Sequence, residues 1–558
     1  MLALAKAGGP HAALAARRAA WLAERQDPQL AREALVVAAR LEPLDPAPKL
    51  ALARLAAEQG DLPGAAAAAQ EVLTEAIDMA ARARAAFILG EIARVQGERA
   101  TARDHYQTTL KLEDTLLAAD RSNPTAVRWY ARARGRLAEL DAADGALARA
   151  RIGAEGALAM LRASAAAIGE PPVLAADIAD AEMRLAALEL DSGEAASARR
   201  RLGEAIGRYE ALAVTEKEEP HWRAVLSDAW ALAAEADYVR GAPDRAREAM
   251  DKALQARLRL AARDPREAFA LAGTWRLRSA LLSALGDAKG AAEALQQARN
   301  LAEQLARPPC PDAPARFLVH TLLDQADQAL RAGALNVARE AADTARAHAE
   351  DYARAPNAAP VWFTDLAAAW DRLGEVARLA NTPMQTQEAF ARASEFRRIA
   401  LDREPQNPKS ARGLAAALVK QGEAALEAKA YAGARAAFQE SAAMRLAMFD
   451  ADQNDPRAAQ ALAVALERLG LVAQAQGDIS TARAAWEDEL ALADRIFIDD
   501  ADIEGQRFRA IVEAHLSAVG GPDSDRHRAS ALARFDELAK AGVMTEREAA
   551  LRKRLWGG

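Results

Sequence analysis

Residues 408–490 read PKSARGLAAALVKQGEAALEAKAYAGARAAFQESAAMRLAMFDADQNDPRAAQALAVALERLGLVAQAQGDISTARAAWEDEL, and they state one unit twice. Pro408 recurs as Pro456, Leu418 as Leu466, Gly422 as Gly470, Ala434 as Ala482 and Phe438 as Trp486, each pair 48 residues apart. One further step back on the same ruler lands on Pro360, Trp370, Gly374 and Phe390. A period of that size without strand-like alternation means stacked helical hairpins, in which each unit buries its apolar face only against its neighbours.

Outward from this stretch, the recurring mark is a Gly or polar residue between two helical segments. These turns fall at Gln26, Gly60, Gly97, Gly145, Gly193, Gly241, Gly286, Gly333, Asn381, Lys429 and Gly477, at spacings of 34, 37, 48, 48, 48, 45, 47, 48, 48 and 48. Gly there supplies the positive φ that ends a helix cheaply. Twenty-one residues before the long units' turns stand Pro124, Pro172, Pro220, Pro265, Pro360, Pro408 and Pro456, with Asp312 in the same register. Proline suits the first helical position, where its missing N–H is no loss. Each long unit therefore predicts a helix A of about 20 residues, a turn, and a helix B of similar length, each about 30 Å long. Small residues seven before the turn (Gly90, Gly374, Gly422, Gly470) and bulky ones nine after it (Tyr106, Phe390, Phe438, Trp486) are packing positions. Trp230, Trp275 and Trp370, all eleven before a turn, are expected as interhelical core.

These motifs, large–Leu–Gly in helix A, a Gly-Asp type turn and Ala–x3–Phe in helix B, resemble the tetratricopeptide repeat. The units around Asp27–Pro46 and Gly60–Leu73 have its usual period of about 34. The remainder is similar to a longer bacterial variant, with pieces of its phrase at Pro220–Trp222, at Trp362, Asp365, Leu366 and Ala367, and at Leu373–Gly374. The resemblance covers roughly residues 10 to 540 and implies an all-α, right-handed superhelical α-solenoid of eleven to twelve hairpins. The expected segments are short units over 1–96, long units over 97–500, and a terminal unit with a capping hairpin over 501–558. In that hairpin Gly542 should stop one helix and Thr545 cap the next, Glu548 completing a capping box. Arrays of the variant often accompany signalling or effector domains, and a chain that begins almost directly in helix leaves an upstream domain as an expectation.

Of the 558 residues, 73 are Lys or Arg and 80 Asp or Glu, a net charge of −7 that argues against a general nucleic-acid binder. The lone cysteine, Cys310, excludes a disulfide framework and a Cys-based zinc site. No apolar run is long enough to span a bilayer or serve as a signal peptide, so a cytoplasmic protein is expected. No phosphate-binding, dinucleotide, metalloprotease or nucleophile-elbow motif is present, and the seven histidines lack ligand spacing. A non-enzyme without cofactors is the expectation.

What remains is binding. The resemblance implies that helix A lines the concave groove and that the position six before each turn faces it. That position reads Glu91, Glu139, Ala187, Glu235, Ala280, Asp327, Glu375, Glu423 and Leu471. Such a ladder of carboxylates would favour a basic, extended segment of a protein or peptide partner. Arg128 and Arg132 beside Trp129–Tyr130, and His320 in another helix A, complete the candidate groove residues. The function expected is a protein-interaction scaffold, with the recognition part of a signalling or effector system, or a peptide-sensing regulator, as the alternatives. The C-terminal hairpin offers a route to oligomers.

Overall fold

The turns dictate the architecture. In the computed structural model every hairpin turn predicted from Gly60 to Gly477 is a left-handed residue, and eight of these ten are glycine, at φ between 70° and 87°. Asn381 and Lys429 take the same conformation at φ 56° and 59°. The following amide bonds back five residues, Glu98 N to Ala93 O at 2.9 Å, Ala430 N to Ala425 O at 2.7 Å and Asp478 N to Ala473 O at 2.9 Å. This closure satisfies a carbonyl orphaned by the helix end and reverses the chain. The structure describes residues 1–6, 11–23, 27–215, 220–307, 312–451, 453, 456–496 and 502–556. The turn expected at Gln26 and the thiol of Cys310 lie outside the described residues.

Among the described residues there is helix and no strand. The helices form two compact units, Met1–Asp287 and Ala288–Gly558. In the first, short helices (Pro28–Leu41, Pro46–Glu58, Leu62–Glu75) give way to long hairpins. These are Met79–Gln96 with Arg99–Ala119, Pro124–Ala143 with Leu147–Ile168, Pro172–Asp191 with Ala195–Thr215, and Pro220–Val239 with Pro243–Ala261. The second holds Asp312–Arg331 with Leu335–Ala353, Pro360–Leu379 with Pro383–Arg403, Pro408–Glu427 with Tyr431–Ala451, and Pro456–Ala475 with Ile479–Ile496. Each unit is thus an α-solenoid of tandem hairpins, in which helices consecutive within the unit pack on one another.

Helix A begins on the predicted residue in every long unit but one. Pro265 instead opens a 3-10 turn, Pro265–Glu267, and the α-helix starts at Ala268. This is the unit whose turn-to-turn spacing contracts to 45, and the three missing residues fall between Gly241 and Pro265, where helix B is shortened to Pro243–Ala261. Asn123 and Asn407 cap their helices, Oδ1 of Asn407 accepting from Lys409 N at 3.0 Å.

The core is made of alanine faces and a few large side chains. Leu202, Ile206, Tyr209, Ala229, Ala233 and Ala246 form one buried cluster of the first unit. Val319, Leu322, Trp362 and Leu366 anchor one in the second. Within a hairpin the small and large positions interlock. A Cβ on Gly90 would stand 2.6 Å from the Tyr106 ring, on Gly374 2.7 Å from Phe390, and on Gly422 2.5 Å from Phe438; Gly470 faces Trp486 in the same way. In other hairpins the partner nine after the turn is smaller and alanine stands in place of glycine, as in Ala138 with Ala154 and Ala186 with Leu202, with Ser279 and Leu295 in the hairpin of Gly286. The tryptophans divide differently from expectation. Trp362 and Trp486 are fully buried, while Trp230, Trp275 and Trp370 are half-buried. The outer faces of Trp230 and Trp370 are covered by Lys252 at 4.5 Å and Arg346 at 5.5 Å.

At the C-terminus Ile503–Ala518 and Ser524–Lys540 make the last hairpin, closed by Glu546–Trp556. Gly542 has φ 70°, and the capping box forms: Thr545 N donates to Glu548 Oε2 at 2.6 Å and Glu548 N to Thr545 Oγ1 at 3.3 Å. Leu551 and Leu555 then pack on Phe535, Leu538, Ala510 and Ala514. Among the described residues no helix is long and apolar enough to cross a membrane.

Candidate functional site

The acidic register six before each turn lies on helix A, and the structure shows what faces it. In five of its six acidic rungs the carboxylate meets a cation 45 residues further on, nine before the next turn. Arg136 reaches Glu91 at 2.8 Å and Arg184 reaches Glu139 at 2.7 Å. Arg372 grips Asp327 with both Nε (3.0 Å) and Nη2 (2.8 Å). Lys420 stands 3.8 Å from Glu375, and Arg468 donates to Glu423 at 2.8 Å. Each pair ties helix A of one hairpin to helix A of the next. In the first unit Arg136 also binds Glu139 at 2.9 Å, so Glu91, Arg136, Glu139 and Arg184 form one continuous chain of charge.

The electrostatics follow from that geometry. Burial works to raise the Glu91 carboxyl, but Arg136, the Tyr106 hydroxyl donating at 2.6 Å and Arg94 together hold it below its usual value. Burial likewise opposes the Arg372 charge, and Asp327 outweighs it, so that guanidinium is more firmly protonated than usual. Glu235 is the exception. The residue is exposed and has no ion pair among the described residues, and partial desolvation of its carboxyl together with the charge of Asp191 raises its pKa. The position where the other rungs carry a cation is here Leu277.

Arg128, Arg132 and His320 belong to a second, equivalent arrangement. Arg128 and Arg132 both bind Asp177, the latter at 2.7 Å, and Asp177 is buried. Arg316 and His320 both bind Asp365, at 2.6 and 3.0 Å, and Asp365 is buried too. The two aspartates occupy the same register, five residues past Pro172 and Pro360, and their partners come from helix A of the preceding hairpin. Trp129 is also engaged from within, 5.0 Å under Arg132 and edge-on to Phe87 at 5.3 Å. The structure therefore brings the nine candidate residues into two inter-repeat registers, and each of them except Glu235 has an intramolecular partner.

Sequence reasoning missed the basic register that answers the acidic one. The signal was present: Arg136, Arg184, Arg372, Lys420 and Arg468 recur nine before their turns. It also missed an acidic pair in the second unit, buried Glu489 beside half-buried Glu467. Burial and the neighbouring Glu467 push Glu489 up to about 9. Burial would raise Glu467 as well, but His515, 3.8 Å away, with Arg468 and Arg547, holds it down at about 2. No group of three or more His, Cys, Asp or Glu is placed to hold a metal ion among the described residues.

The hairpins, their left-handed turns and their small-against-large packing define a tetratricopeptide-like repeat fold. No family model and no curated protein matches the chain. Among solved structures it is similar to yeast Tom70, at 14% identity over 90% of this chain and 95% of that one, with a TM-score of 0.43. It is also similar to BtubC (BKLC) from P. vanneervenii, at 17% identity over 47% and 94%, TM-score 0.38. A third is a Rap protein complexed with Competence and Sporulation Factor, at 12% identity over 73% and 98%, TM-score 0.41.

Proposed function

We propose that this chain is a non-catalytic scaffold that binds a protein or an extended peptide along the stripe that the A helices form within each unit. The observation that carries the reading is the charge ladder. Ion pairs fix the stripe's side chains before any partner arrives, so little rotamer freedom is lost on association. Pairs at partial exposure contribute little stability, at most about 1 kcal/mol each. Their recurrence on one face is better accounted for by positioning than by stability. A partner that meets alternating fixed charges is selected by its own charge pattern, and association is favoured for complementary segments and slowed by salt. We place the array with the long-helix bacterial variant of the repeat, working in the cytoplasm, and assign the C-terminal hairpin to capping and, in oligomers, to self-association.

Photo-crosslinking tests the reading. A benzophenone amino acid at Ala187 or Ala280, two rungs without charge, should crosslink the chain to polypeptide in the native host. The same group at Ala292, on the exposed side of Ala288–Leu305, should not. Equal labelling from both faces, or none from the A-helix positions, would defeat the assignment.

A further inference from the structure

One acidic rung of the first unit has no cation to answer it among the described residues, and it has the chemistry of a vacant rung. At Glu139 the neighbouring hairpin supplies Arg184, and at Glu91 it supplies Arg136. At Glu235 the register that carries the cation elsewhere, nine before the next turn, holds Leu277, a side chain 53% exposed. The rung before it is uncharged on both sides, Ala187 facing the register of Leu232. Glu235 thus carries the carboxylate of a rung without its guanidinium, under the charge of a second acid, Asp191, and with an exposed leucine at the register where other rungs carry the cation. The protein shows five times what such a carboxylate accepts: an arginine or lysine delivered from the adjacent helix.

We propose that Glu235 and Leu277 form a docking point for a cationic side chain of a partner polypeptide, an arginine or lysine flanked by an aliphatic residue in an extended segment. The proposal deepens the scaffold reading and rests on it. The guest cation takes the place that Arg184 takes for Glu139, and its aliphatic neighbour covers the exposed face of Leu277. Partial desolvation of Glu235 and the repulsion from Asp191 both oppose its charge, and an external cation would relieve them.

The probe is a short labelled peptide alternating leucine and arginine, compared with the same peptide carrying citrulline for arginine. Three variants are read by fluorescence anisotropy. Leu277→Arg supplies the missing cation from within and should weaken the arginine peptide by about fivefold or more, the size of one charge pair. Glu235→Gln should do the same. Glu139→Gln, which removes an equal charge from a filled rung, should change binding by less than about twofold. The citrulline peptide should respond to none of them. Equal weakening by Glu139→Gln and Glu235→Gln would mean general attraction to an acidic protein and would overturn the site. Unchanged binding by Leu277→Arg, or no binding of the arginine peptide by the wild-type chain, would overturn it too. In all these cases the crosslinks from Ala187 and Ala280 still decide the scaffold reading by themselves.

Discussion

At Gly422 one hydrogen atom separates a fitted hairpin from an impossible one. Its Cβ would enter the ring of Phe438, which is itself fully buried. Gly422→Ala should therefore cost about 1–3 kcal/mol by overpacking. Combining it with Phe438→Leu reproduces the Ala186–Leu202 pairing seen elsewhere in the chain. The double variant should be more stable than the sum of the two single changes predicts, by at least about 1 kcal/mol in thermal or urea unfolding. Strict additivity would show that the two positions do not touch. Lys429 presents the opposite problem, a long side chain in the left-handed conformation at φ 59°. An L-residue pays about 1–2 kcal/mol there. Lys429→Gly should raise stability by roughly 0.5–1 kcal/mol, less than the strain because glycine is freer when unfolded. These turns were legible because each needs one rare backbone state at a fixed spacing. The ruler marked Asn381 and Lys429 even where the residue type did not. The half-burial of Trp370 was not legible, since an offset from a turn says which helix face a residue occupies and not how far a neighbouring arginine covers it.

Between elements, polar contacts take over from alanine. Asp177 and Asp365 are buried, and each is met by two side chains of the preceding helix A. A buried carboxylate left without them would cost several kcal/mol, so these joints hold neighbouring hairpins in one register. Reading Arg128, Arg132 and His320 as partner-facing was reasonable from one hairpin alone, because their acceptors stand 45 and 49 residues away. The Glu467–Glu489 pair shows the same logic with the sign reversed. Glu489 stays neutral in the fold up to about pH 9, whereas in the unfolded chain it ionises near its ordinary value of 4.5. Its raised folded pKa therefore costs stability progressively as pH climbs through that window. Glu489→Gln should raise the melting temperature at pH 8 and leave it nearly unchanged at pH 4. A gain of equal size at both values would show that packing, not ionisation, is what the substitution changes.

Over the length of each unit, the repeated hairpin was read almost entirely from periodicity, and the meaning of its charges was not. Six acids on one register look like an acidic wall when the sequence is scanned for acids. Scanned at the next register, the same helices show the cations that neutralise five of them. Periodicity locates a residue on a face, but only the angle between successive hairpins decides that position six of one unit meets position nine of the next. The break at Glu235 and Leu277 comes into view only once the filled rungs are known. That wiring is the central claim, and a double-mutant cycle on Asp327 and Arg372 tests it most directly, since their contact is bidentate and lies within one unit. Asp327→Asn, Arg372→Gln and the double variant are compared by urea unfolding at low salt. A coupling energy of about 0.5–1 kcal/mol that shrinks as salt is added is the predicted result. A coupling indistinguishable from zero would contradict the ladder and return the six carboxylates to a solvated helical face.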